Sequence, residues 1–100
     1  MGLDFAIDAL YQTGWNVPEP KDLPLDASGR PYPSQAHIEA AFAEHALALS
    51  VRHIQLFDCY RAEWRDAGGQ ARGAVVGQTA EEAAVYAFSQ LRRQLSESVA

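Results

Sequence analysis

The chain is short of the residue types that most often carry chemistry. Cys59 is its one cysteine, which excludes an intrachain disulfide and any multi-cysteine metal site. Lys21 is its one lysine, and the formal net charge is −5. A chain this acidic is poorly equipped to neutralise phosphates, so nonspecific nucleic-acid binding is disfavoured. No apolar run approaches the ~20 residues that span a bilayer, so no membrane association is expected. The start, Met1-Gly2-Leu3-Asp4, carries an acid where a signal peptide has basic residues. Ala6 stands where a myristoylation signal has Ser or Thr. A cytoplasmic location is expected.

The composition that remains is globular. The 100 residues are 48% hydrophobic and 21% charged, which suits one domain, 1–100, able to bury a core without metal or disulfide. The charge is uneven along the chain. Residues 1–50 hold Lys21 and Arg30 against seven acids, and residues 51–100 hold six arginines against six acids. Neither half is a basic patch.

Hydrophobic spacing predicts a first helix over 3–13, with Leu3, Ala6, Ile7, Leu10 and Tyr11 on one face. Asp4 falls in its first turn, where the helix dipole favours negative charge. Gly14 fits the left-handed position past its end, and Trp15 is expected to fold back over the apolar face. Residues 16–33 contain all five prolines, which argues against helix or central strand. They read as an ordered strap with a turn at Asp26-Ala27-Ser28-Gly29. Long loops in compact domains are often functional; a passive connector is the alternative. Ser34 caps a second helix over 35–50, whose buried face is Ile38, Ala41, Phe42, His45, Ala46 and Leu49.

Two β-type runs follow, 54–65 and 71–78, split by Asp66-Ala67-Gly68-Gly69-Gln70. Placing Arg65 opposite Ala71 sets Trp64 against Arg72, Ala62 against Ala74 and Tyr60 against Val76. That face should meet the helices. The other carries Arg65, Glu63, Arg61 and Cys59 opposite Ala71, Gly73, Val75 and Gly77, in that order. A slip of one residue would exchange the faces of a strand. Residues 51–57 are left without a partner, which calls for a third local strand or a second chain at the open edge. Thr79 caps a last helix over 79–95, with Glu82 three residues on as a capping box. Its buried stripe is Ala80, Ala84, Ala87, Phe88, Leu91 and Leu95, and residues 96–100 should fray. The fold class is therefore α+β, a small antiparallel sheet packed against three helices.

Spacings that would carry chemistry are missing. His37, His45 and His53 recur every eight residues, but the first two would sit about 12 Å apart along a helix, too far to share an ion. Neither His-x-x-x-His nor Cys-x-x-Cys occurs. Cys59 falls in mid-strand, away from the helix N-terminus that stabilises a thiolate. Asp4 with Asp8 lines a polar helix face, and Glu81 with Glu82 is accounted for by capping. Gly73 and Gly77 lack the Gly-Lys-Ser/Thr ending of a phosphate loop; alternate glycines on a strand instead suggest close approach by another group. Arg61, Arg65 and Arg72 lie near Trp64 and Tyr60, but Glu63 and Asp66 among them favour cross-strand ion pairs.

In element order, residues 35–95 resemble the double-stranded-RNA-binding domain: helix, strands, then a helix on one sheet face. In that family a lysine-rich motif opens the last helix and grips phosphates. Here the matching stretch is Thr79-Ala80-Glu81-Glu82-Ala83, and the loop histidine motif is missing from 66–70. The strand-to-helix junction Gly77-x-Thr79-x-Glu81-Glu82-Ala83 is similar to that of small antitoxins of the HicB type.

The residues point to a non-catalytic protein-interaction or assembly domain without a cofactor. Its partner is another protein, or a second copy joined through the 51–57 edge. The candidate partner-binding residues are Trp15, Tyr32, Arg61, Glu63, Arg65 and Val75. One alternative is a nucleic-acid-binding module using Arg61, Arg65 and Arg72. Another is a small enzyme built on Cys59, His53 and Asp58.

Overall fold

The computed structural model of the chain describes residues 2–16 and 23–99. Among them the order is α1 (Leu3–Gln12), α2 (Gln35–Glu44), β1 (Ala48–Ile54), a 3-10 turn (Gln55–Phe57), β2 (Cys59–Arg65), β3 (Ala71–Gly77) and α3 (Ala80–Val99). The strands form an antiparallel meander in the order β1-β2-β3. This is the α+β arrangement expected. α3 lies across all three strands, α2 packs beside it against β1, and α1 packs on α3. One core joins Ile7, Leu10, Ile38, Phe42, Trp64, Val85 and Leu91. No helix among the described residues is long and apolar enough to cross a membrane.

The helices begin and end where local chemistry dictates. Ser34 Oγ accepts from the His37 amide at the start of α2. Thr79 Oγ1 accepts from the Glu82 amide at 3.1 Å, one half of the predicted capping box. Gly14, at φ 87, turns the chain after α1, and α3 runs on to Val99, past the predicted end at 95.

The second helix is shorter than its residues suggest. It stops at Glu44 rather than 50, and β1 takes residues 48–54. The stop is a Schellman closure: the Ala46 amide donates to Ala43 O and the Leu47 amide to Phe42 O, both at 3.0 Å. Such a closure needs one residue in the left-handed region, usually glycine. Here it is Ala46, at φ 59, so the usual sequence signal is absent. His45, Ala46 and Leu49 consequently leave the helix face assigned to them. The segment 51–57 also finds a partner inside the chain. Val51 pairs with Ala62 and Ile54 with Cys59, and residues 55–57 form the turn between β1 and β2.

The register of β2 with β3 starts as expected and then shifts. Arg65 does face Ala71, but Trp64 faces Gly73 rather than Arg72, so Arg72 is the extra residue of a bulge. Beyond the bulge Ala62 faces Val75 and Tyr60 faces Gly77. The helix-facing side of β3 is therefore Gly73, Val75 and Gly77, while Ala74 and Val76 face outward. The cause is steric. A Cβ on Gly73 would lie 2.3 Å from Trp64 Cζ2, and one on Gly77 would lie 2.7 Å from the Ala83 backbone nitrogen. Each glycine sits where another group already occupies the volume of a side chain.

Two substitutions check these assignments by urea denaturation. Gly73→Ala should destabilise the fold by about 2–3 kcal/mol, because the fully buried Trp64 has nowhere to move. Ala46→Gly should stabilise it by about 1 kcal/mol by removing left-handed strain; a loss of stability would contradict the closure described.

Candidate interaction surface

The helices cover one side of the sheet, and among the described residues no helix or strand covers the other. Alternation along the strands places Ala48, Ser50, Arg52 and Ile54 of β1 on that outer side. Cys59, Arg61, Glu63 and Arg65 of β2 and Ala74 and Val76 of β3 complete it. Val76 is 53% exposed. Glu63 anchors the polar part. Its carboxylate accepts from Arg61 Nη2 at 3.2 Å and from Arg65 Nε at 3.1 Å. These bonds, that from Arg61 first, hold the Glu63 carboxyl below the usual range. Arg65 also donates to Gly69 O at 2.9 Å, so this arginine braces the β2–β3 turn.

Arg52 has no such support. It stands directly opposite Arg61, and among the described residues it has no ion pair. Like charges directly across a ladder repel. Among the described residues three arginines thus stand with one carboxylate on this face, only two of them bonded to it, leaving it positive on a chain of net charge −5.

The β1–β2 turn ends in two large apolar side chains. Leu56 is 83% exposed and Phe57 is 73% exposed. The turn is well specified: the Asp58 amide donates to Gln55 O at 3.2 Å, and Asp58 takes the left-handed conformation, φ 47, which Asp tolerates better than most residues. Its carboxylate lies 3.0 Å from His53 Nε2, and the His53 ring packs at a tilt against Tyr60, their centroids 4.9 Å apart. Leu56 and Phe57 belong to the 51–57 segment singled out from the sequence, although for a missing strand partner that the fold supplies. Their exposure was not readable, because a short apolar turn and a buried strand look alike in one dimension.

The remaining candidates fall elsewhere. Trp15 and Tyr32 are buried, at 9% and 8% exposure. Trp15 packs edge-on against Tyr11, and burial pushes the Tyr32 phenol up. Val75 points to the helices and packs on the core, so it does not share a face with Arg61 and Glu63. Arg72 reaches Asp66 only at 3.9 Å. Cys59 pairs with Ile54 on the outer side, whereas His53 pairs with Tyr60 on the helix side; the strand keeps thiol and imidazole on opposite faces. His37 bonds Ser34 Oγ, His45 ends α2 and His53 meets Asp58. Among the described residues, no three His, Cys, Asp or Glu side chains converge on a common point. Trp64 Nε1 is buried without a hydrogen-bond acceptor.

The described part of the strap, from Leu23 on, is a small hairpin docked on α1; residues 17–22 lie outside the described residues. Leu25 bridges Pro31, and Tyr11 Oη donates to Pro31 O at 2.6 Å. Arg30 pairs with Asp8 and stacks over the Tyr11 ring. Its turn, Asp26-Ala27-Ser28-Gly29-Arg30, repeats the chemistry of Asp66-Ala67-Gly68-Gly69-Gln70. In each, the Asp Oδ1 accepts from the amides two and four residues on, and the glycine three residues on takes positive φ. In the strap, the Ser28 hydroxyl and then the Arg30 amide hold the Asp26 carboxyl down, to about 2.

Comparison with known protein families, curated proteins and solved structures gives no match for this chain. A functional reading therefore rests on its geometry and charge.

Acid titration checks the strap turn. The folded value of Asp26 lies below its ordinary 3.8, so its contribution to stability is complete above that pH and is lost as pH falls through about 2. Melting temperatures of wild type and Asp26→Asn should differ most above pH 4 and converge toward about pH 2. A constant gap would sink the assignment.

Proposed function

We propose that this chain is a non-catalytic protein-interaction domain whose contact surface is the bare sheet face and its apolar tip. The observation that carries the reading is the exposure of Leu56 and Phe57, 83% and 73%, on a turn fixed by its own hydrogen bonds. Exposed large apolar side chains on a well-specified turn cost solubility and add nothing to this core, and contiguous apolar surface rimmed by polar groups marks interaction sites. Ile54 and Val76 extend the apolar area onto the sheet. The partner is another protein or a second copy of the chain.

The nucleic-acid alternative draws less support. Glu63 compensates Arg61 and Arg65, and the last helix opens with Glu81 and Glu82 in its first turn, where phosphate binding would want cations or bare amides. The cysteine-based enzyme alternative is weakened by the opposite faces of Cys59 and His53.

The test compares wild type with the double substitution Leu56→Ser, Phe57→Ser. Both side chains are exposed, so folding stability should change by no more than about 0.5 kcal/mol. Affinity capture from the native host, together with light scattering over a range of concentrations, then reads the interaction. A partner or self-association present in wild type and lost in the variant supports the proposal. Identical captured proteins and identical monomeric masses would defeat it.

A further inference from the structure

The charge on the bare face selects among protein partners, given that the face is an interaction surface at all. We infer that this face receives an acidic, apolar segment of another protein, its carboxylates meeting Arg52 and Arg61 and its apolar side chains meeting Ile54, Val76, Leu56 and Phe57.

The surface is laid out in cross-strand rows. Arg52, Arg61 and Val76 stand side by side across the sheet, and Ile54 and Cys59 form the next row toward the tip. Beyond that row come Leu56 and Phe57. On the other side, Ser50, Glu63 and Ala74 form a row of mostly small side chains over which a segment can lie close. Basic and apolar groups are therefore adjacent; the paired Glu63 carboxylate lies behind them, and the exposed Asp58 carboxylate of the turn is engaged by His53 from the helix side.

Arg52 is the group that asks for a ligand. It faces Arg61 directly, and Glu63 is already engaged by Arg61 and Arg65. A like-charged cross-strand pair is unfavourable in the free domain, and one carboxylate laid between the two guanidiniums would relieve it. An acid built into the fold at position 52 would do the same, yet the chain carries arginine there. The local sign also opposes that of the whole molecule, −5. An acidic partner is repelled by most of the surface and attracted by this face, which fixes where it docks.

A second copy fits less well. Antiparallel pairing of two β1 strands about Val51 would set each Arg52 against Ser50 of the other copy. The two Arg52 side chains would then be diagonal neighbours about 7–8 Å apart, with both Arg61 residues close behind. A nucleic acid fits less well too, since its backbone uses no aliphatic tip and Glu63 would face its phosphates.

A phage-displayed library of random peptides, panned on the purified domain, tests the inference. Enriched sequences should combine Asp or Glu with Leu, Ile, Val or Phe, and a synthetic peptide of the enriched sequence should bind more weakly as salt rises. Arg52→Glu should cut its affinity about tenfold or more while leaving the melting temperature equal or higher, because the introduced carboxylate would pair with Arg61. Leu56→Ser with Phe57→Ser should cut affinity by a similar factor. Enriched peptides that are apolar without acids, and indifferent to Arg52→Glu, would overturn the acidic-partner inference and leave the interaction reading standing. Failure to enrich any sequence would overturn it as well. So would Arg52-dependent binding of single- or double-stranded RNA, or self-association abolished by the Leu56/Phe57 substitutions.

Discussion

The fold turns on the volume of one indole. Trp64 is fully buried at the middle of the core, against Phe42 at 5.4 Å and over the backbone at Gly73. Any residue larger than glycine would have to share the space of its ring. This contact accounts for the bulge at Arg72 and for the shift that turns Gly73, Val75 and Gly77 toward the helices. Gly77 then brings β3 against the backbone at Ala83 and so seats the start of α3. The side of β3 opposite that contact is what remains for solvent, which is how a packing constraint on one face decides the chemistry of the other.

Much of this was legible from the residues and some was not. Amphipathic spacing located α1 and α3, and Ser34, Thr79 and the two Asp-Ala-x-Gly turns marked element boundaries by local hydrogen bonding. Such signals act within a few residues of themselves. The Trp64–Gly73 contact acts between strands. Pattern alone placed Arg65 opposite Ala71 correctly, but it could not count the extra residue that the indole forces. Alternate glycines on a strand signal a close approach, but which group approaches them is a tertiary fact.

The interaction surface was legible in a similar, partial way. Strand alternation places Arg61, Glu63 and Arg65 together, but their ion pairs run along β2 rather than across the strands as expected. The position of Arg52 opposite Arg61 depends on the pairing of β1 with β2, and the sequence pattern leaves 51–57 without a partner. Trp15 and Tyr32 are large aromatics in a region whose sequence reads as irregular. The strap hairpin instead uses the Tyr11 hydroxyl and Arg30 to fasten itself to α1, and the aromatic rings close the core.

The corner at Ala46 has a consequence for the chain before it folds. Residues 35–50 carry a helical pattern throughout, and alanine at the turning point favours helix more than almost any other residue. The Schellman closure is held from outside, by Leu47 and Leu49 finding places in the core and by β1 pairing with β2. Until those partners exist, the local preference runs the other way. The start of the first strand is thus a segment of divided allegiance, helical by its own residues and extended by its neighbours. The edge strand therefore owes its extended form to β2 beside it.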